Sequence, residues 1–139
     1  MDIRDYKDSD YSEVAAILKE ATLFSQKLDT VHNLHEKITH SPGSILVAEV
    51  EGRVVGTIYI IFDRWQSLIH HLAVKEEYRK QGIGTQLMKE AEIRIENFGS
   101  PRVSGTIREN SPHLEKYYTE LGYRLAPIMH RYVHKELKQ

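Results

Sequence analysis

His70-His71-Leu72-Ala73-Val74-Lys75-Glu76-Glu77-Tyr78-Arg79-Lys80-Gln81-Gly82-Ile83-Gly84-Thr85 joins an apolar, strand-like run to a basic, glycine-spaced turn that opens into a helical pattern. That order builds an anion site. The first turn of a helix carries backbone N–H groups with no intrahelical partner, and the macrodipole places partial positive charge there. Gly82 and Gly84 have no Cβ, so a phosphate can approach the backbone closely, while Arg79 and Lys80 add charge. The ligand such a turn fits is a pyrophosphate. The chain has no G-x-x-x-x-G-K-[ST], which argues against a P-loop nucleotide site. It also has no G-x-G-x-x-G after the strand, which argues against a dinucleotide fold.

The spacing that is present, Arg79-x-x-Gly82-x-Gly84 after Leu72-Ala73-Val74, resembles the acyl-coenzyme A motif of the GNAT superfamily of N-acetyltransferases. A second segment agrees with it in order and context: Asn110, then Tyr117-Tyr118-Thr119-Glu120-Leu121-Gly122-Tyr123. This is similar to the family's later Asn and its F/L-Y-E-x-L-G-F helix end. The resemblance reaches from about Ile3 to the C-terminal strands. It implies an α/β (α+β) GNAT fold, with a central mixed, mostly antiparallel sheet, a splayed pair of strands and helices on both faces. It also implies acetyl-CoA as cosubstrate and an amine as acceptor.

Composition agrees with a single domain over 1–139. A chain of 139 residues suits one core. A net charge of −1, with no second basic block, argues against nucleic-acid or membrane-surface partners. No apolar run approaches the roughly 20 residues of a membrane span, and the N-terminus shows no signal-peptide pattern. The expectation is a soluble, cytoplasmic protein. Zero cysteines exclude a disulfide framework and a cysteine acyl-enzyme.

Periodicity predicts the elements. Met1 to Tyr6 reads as a strand, and Asp10 with Glu13 as a capping box before a helix carrying Val14, Ile17, Leu18 and Ala21. Thr22 to Asn33 is irregular and fairly apolar, and a short helix around Leu34 to His40 follows. Ile45 to Val50 and Arg53 to Phe62 flank Glu51-Gly52 as a hairpin, with Gln66 to Val74 as a third strand. Gly84 to Asn97 reads as a helix with Leu87, Met88, Ala91 and Ile95 inward, capped near Gly99. Val103 to Ile107 is a strand, Pro112 to Leu121 a helix, and Tyr123 to His134 one or two closing strands.

Acetyl transfer from a thioester requires an amine to lose a proton, a carbonyl oxygen to find donors and a thiolate to gain a proton. The resemblance implies that backbone groups of Leu72 and Val74 meet the pantetheine and acetyl oxygen, with the Val74 N–H as oxyanion donor. Arg79, Lys80, Gln81, Gly82, Ile83, Gly84 and Thr85 then hold the pyrophosphate, and Asn110 meets the pantetheine amides. Tyr118 aligns with the family's general acid, and a phenol near pKa 10 can protonate a departing thiolate. Adjacent Tyr117 points about 100° away on the helix. For the base, strand alternation puts His70 on the side of Leu72 and Val74, and His71 on the other side with Ala73. Some family members that acetylate arylalkylamines carry a His at the position of His70, which makes it the candidate base or water-positioning residue.

His32, His35 and His40 lie close in sequence, but His35-Glu36 is followed by His at i+5 rather than i+4, so H-E-x-x-H is absent. His130 and His134 share strand parity only. No metal is expected. Leu23, Phe24 and Leu28 are candidates for the acceptor wall, whose amine stays unidentified. A non-catalytic acyl-CoA-binding or regulatory module on the same fold is the alternative to a direct-attack enzyme. A monomer or homodimer fits the sequence equally.

Overall fold

The computed structural model describes residues 1–107, 111–126 and 133–137. They form two compact units, Met1–Thr106 and Ile107–Gln139. The first unit carries β1 (Asp2–Asp5), α1 (Tyr11–Glu20), α2 (Val31–His40), β2 (Ile45–Val50), β3 (Arg53–Ile61), β4 (Ser67–Val74), α3 (Ile83–Phe98) and β5 (Val103–Ser104). The second carries α4 (Pro112–Glu120).

The sheet runs β1-β2-β3-β4-β5, antiparallel except for the parallel β4–β5 pair. Glu51 and Gly52 connect β2 to β3 with both φ angles positive, at 49° and 78°, as the tight hairpin turn requires. Helices cover both faces. On one, Val14, Ile17 and Leu18 of α1 and Leu34 of α2 pack against Ile45, Val47, Val54, Tyr59 and Ala73. On the other, α3 buries Leu87, Met88, Ala91 and Ile95. Its approach is close at Gly56, where a Cβ would sit 3.1 Å from Leu87 and 3.3 Å from Ile83. Glycine at that position lets α3 seat directly on β3. The α/β fold with helices on both faces is as expected.

Several local expectations change. The Asp10–Glu13 capping box does not form. Asp10 instead takes a forked Arg4 guanidinium at 2.8 and 3.0 Å and the Lys7 N–H at 3.0 Å. Glu13 reaches across to accept the Val54 N–H at 2.9 Å. The stronger charge-assisted partner for Asp10 comes from β1, which sequence-local capping rules cannot see. Helix α2 starts earlier, at Val31, because Thr30 caps it by accepting the Asn33 N–H at 3.0 Å. Strand β5 is shorter than Val103 to Ile107. Residues 123–126 and 133–134 are irregular rather than strand, and 127–132 of that predicted stretch, with His130, lie outside the described residues.

Candidate active site

Backbone alternation sets the exposed edge of β4. The Lys75 N–H donates to Val55 at 2.8 Å, so Lys75 turns its polar groups to β3 and Val74 turns its own to the opposite edge. There β5 pairs only at Ser67↔Val103 and Leu68↔Ser104. Beyond Leu68, β4 has no strand partner on that side among the described residues. This is the splay that the resemblance implied, and the Val74 N–H and carbonyl point into it. Arg79 closes the near side: its Nε donates to the Val74 carbonyl at 2.8 Å, and its Nη2 lies 3.7 Å from Glu20 at the end of α1.

From Arg79 the chain turns through Lys80 (φ 62°) and Gly82 (φ 83°) into α3. Gly82 is the N-cap in the left-handed region, and a Cβ there would meet nothing within 4 Å. Conformation and open space, not crowding, call for glycine. The Gln86 N–H bonds to the Gly82 carbonyl at 3.0 Å, so the backbone N–H groups of Ile83, Gly84 and Thr85 precede that ladder at the positive end of the helix. Arg79, Lys80, Gln81 and Gly82 are exposed, Gly84 and Thr85 half-buried. The Ile83 side chain is buried, so it takes part in the core rather than in the surface of the turn.

The histidine geometry corrects one expectation. His71 sits at φ 55°, and the β3–β4 register jumps from Thr57↔Ala73 to Tyr59↔His70. His71 and Leu72 together oppose Ile58, a β-bulge that breaks period-two alternation. His70 and His71 therefore share a face instead of lying on opposite sides. Tyr59 meets both rings, with centroids at 5.4 Å from His70 and 4.6 Å from His71.

Both histidines line a cavity of about 310 Å³ on the α1–α2 face, with Leu28, Leu34 and Ile61 as apolar wall and Asp29, Lys37 and Tyr59 as polar groups. Asp29 is buried and accepts His71 Nε2 at 3.1 Å, the Tyr59 hydroxyl at 3.0 Å and the Ser25 N–H at 2.8 Å. Burial pushes its pKa up, but these donors outweigh burial and hold the carboxyl below its usual range. An ionised Asp29 only accepts, so His71 donates from Nε2 and its neutral form carries the lone pair on Nδ1. His70 Nε2 is buried without a partner among the described residues. Burial pushes His70 down to about 4, with positive charge on His71 and Lys37 adding to this and Asp29 opposing it. Tyr59 is raised by burial and then by Asp29.

A larger, open groove of about 420 Å³ runs between Pro42, Phe62 and Phe98, but its Arg94 is already engaged by Asp5 and Glu90. Volume alone does not select the site. In the second unit, Tyr118 packs edge-on between Tyr117 and Tyr123, at 5.4 and 5.6 Å, and burial raises its hydroxyl pKa, with Tyr117 adding to the effect. It stays protonated at neutral pH. Asn110 lies outside the described residues.

A family model described as acetyltransferase (GNAT) domain matches residues 7–132. The chain belongs to this family. The GNAT fold is shared with solved structures. Ard1 from Thermoplasma volcanium has TM-score 0.79 and 23% identity, over 90% of this chain and 83% of that one. Glucosamine-6-phosphate N-acetyltransferase from Arabidopsis thaliana has TM-score 0.76 and 16% identity, over 96% and 98%. A GCN5-related N-acetyltransferase from Ralstonia eutropha has TM-score 0.73 and 21% identity, over 95% and 97%.

In this GNAT domain His35 and His40 have local partners. His35 Nδ1 lies 2.8 Å from Asp8, and His40 Nε2 lies 3.0 Å from Glu36. No group of three His, Cys, Asp or Glu able to hold a metal occurs among the described residues, and no helix of theirs is long and apolar enough to cross a membrane. Of the three apolar candidates for the acceptor wall, Leu28 lines the cavity, whereas Leu23 and Phe24 pack on the core. Sequence reasoning missed Asp29, Lys37, Tyr59 and His71. Asp29 was detectable in principle, as an acid inside an otherwise apolar irregular segment.

Proposed function

We propose that this chain, acting as one domain over 1–139, transfers an acetyl group from acetyl-CoA directly to a primary amine in a ternary complex. The observation that carries the reading is that β4 serves two sides at once. Its splayed edge presents Val74 beside the Arg79–Gly84 turn, and its bulge turns His70 and His71 into a cavity lined by buried polar groups.

In this reading Arg79 and Lys80, with the backbone of Gln81 to Thr85, bind the pyrophosphate through charge and helix-terminal N–H groups. The edge at Leu72 and Val74 holds the pantetheine, helped by Asn110, and the Val74 N–H stabilises the developing oxyanion. The amine enters the cavity. An alkylammonium near pKa 10.4 must shed a proton before attack. His70, uncharged at neutral pH, positions the amine or a water, and His71 receives the proton on Nδ1 while Asp29 steadies the imidazolium that forms. Attack forms the C–N bond, collapse breaks the C–S bond, and Tyr118 gives its proton to the departing thiolate. The second proton, lost from the new amide nitrogen, returns through water to the Tyr118 phenolate.

The test is calorimetric titration with acetyl-CoA beside ATP, followed by thiol release over a panel of amines. Micromolar acetyl-CoA binding, silent ATP and amine-dependent thiol release are the expected results. Binding without release from any amine would favour a non-catalytic acyl-CoA module. No binding of acetyl-CoA would remove the reading altogether.

A further inference from the structure

Lys37 is a cation for which the described residues supply no counter-charge. It projects from the last turn of α2 into the cavity wall and spends one donor on the Ile60 carbonyl at 2.7 Å. An ammonium has three donors. No carboxylate among the described residues stands within ion-pair distance of it, and burial, the one influence on it, pushes its pKa down to about 8. The cavity's own acid does not serve: Asp29 is held by His71, Tyr59 and Ser25 and makes no ion pair with Lys37. A partly desolvated charge without a counter-charge is costly, and a methionine of similar length would fill the same space without that cost.

We infer that the acceptor carries a carboxylate beside its amine, and that Lys37 recognises it; this rests on the cavity being the amine site of the transferase. The polarity fits a zwitterion. Lys37 and Asp29 line the same cavity as His70 and act on it in opposite senses, the cation disfavouring its protonation and the carboxylate favouring it. Both ends meet Tyr59, whose ring lies 5.9 Å from the Lys37 ammonium and 5.4 Å from the His70 ring. An amine facing the histidines thus leaves the other end of a short molecule at Lys37. The apolar wall of Leu28, Leu34 and Ile61 then receives a hydrophobic side chain. About 310 Å³ accommodates one free amino acid, whereas the first residue of a peptide has its α-carboxyl tied up in the amide bond.

The test uses products, so that it does not depend on turnover. N-acetyl-leucine, N-acetyl-methionine and N-acetyl-phenylalanine are titrated calorimetrically into the protein with coenzyme A present, each beside its neutral amide. The wild type should bind at least one acid ten-fold or more tighter than its amide. Lys37→Met should bring that acid within two-fold of the amide, and Lys37→Arg, which keeps the charge, should retain a preference; melting curves verify that both variants fold. Acid and amide binding equally, neither binding, or a preference that survives Lys37→Met would overturn the inference. A Lys37-dependent acid preference in a protein that acetylates no amine would keep Lys37 as a carboxylate-binding residue but overturn the acceptor assignment together with the transferase reading.

Discussion

Replacing Asp29 by Asn tests whether the buried carboxylate organises the histidine cavity through its charge. The substitution keeps the shape. The Asn oxygen can still accept from Ser25 N–H and His71 Nε2, and its amide nitrogen can donate to the Tyr59 oxygen once that hydroxyl turns. What disappears is charge assistance on three bonds to a carboxylate that is 4% exposed. Bonds to charged groups contribute about 1.5–3 kcal/mol against about 1 kcal/mol for neutral ones, so the three together cost on the order of 2 kcal/mol. For a chain of this size that lowers Tm by roughly 6–10 °C. The folded pKa of Asp29 lies below its ordinary 3.8. Its contribution is therefore complete above the unfolded value and disappears as pH falls through the folded one. The stability gap between wild type and variant should persist from about pH 5 to 8 and close below about pH 4. Thermal and denaturant melts across that range measure it. A gap below about 0.5 kcal/mol at neutral pH, or one undiminished at the acid end, would refute the role given to the charge.

Three further outcomes are expected. Tyr118→Phe should lower kcat by about 10²-fold or more while calorimetry shows acetyl-CoA affinity unchanged, and full activity would remove Tyr118 as the acid. Gly82→Ala meets no clash but forces a Cβ into φ 83°, so denaturation should read a loss of about 1–2 kcal/mol, with weaker acetyl-CoA binding. His70 has a folded pKa near 4 against an ordinary 6.5, so its contribution is complete above 6.5 and is lost as pH falls toward 4. Across that window the wild type should lose up to about 3 kcal/mol more stability than His70→Asn, as melts at stepped pH would show; parallel curves would contradict a buried neutral imidazole.

The parts of the fold that were legible are those governed by local chemistry. The Arg79–Gly84 turn, the Glu51-Gly52 hairpin and the buried stripe of α3 each follow from residues a few positions apart. The turn proposed to hold the pyrophosphate was therefore readable as a structure, since a helix N-terminus and its glycines are contiguous. The cavity side was not. Asp29, Lys37, Tyr59 and His71 come from a loop, a helix and two strands, and their meeting depends on how α2 seats on the sheet. Lys37 reads in sequence as an ordinary solvent-facing lysine. Asp10 shows the same limit in reverse: local rules assigned it a cap, and a partner from β1 outbid that cap.

The bulge at His71 links the two sides of the site. With regular alternation through residues 70 to 74, His70 would share the side of Leu72 and Val74, away from Ala73 and Tyr59. One extra residue in β4 swings His70 back to the Tyr59 face while leaving Val74 directed at the splay. The conformation is unfavourable in itself, since a non-glycine residue at φ 55° costs about 1–2 kcal/mol. The His71–Asp29 bond, made to an ionised acceptor, is of the size needed to offset it. Asp29 is in turn fixed by Ser25 and Tyr59, so the strained residue is held from the opposite wall of the cavity rather than from its own strand. This explains why the histidine that violates alternation is also the one with a fixed tautomer. The same bond that stabilises the bulge sets which imidazole nitrogen can accept a proton.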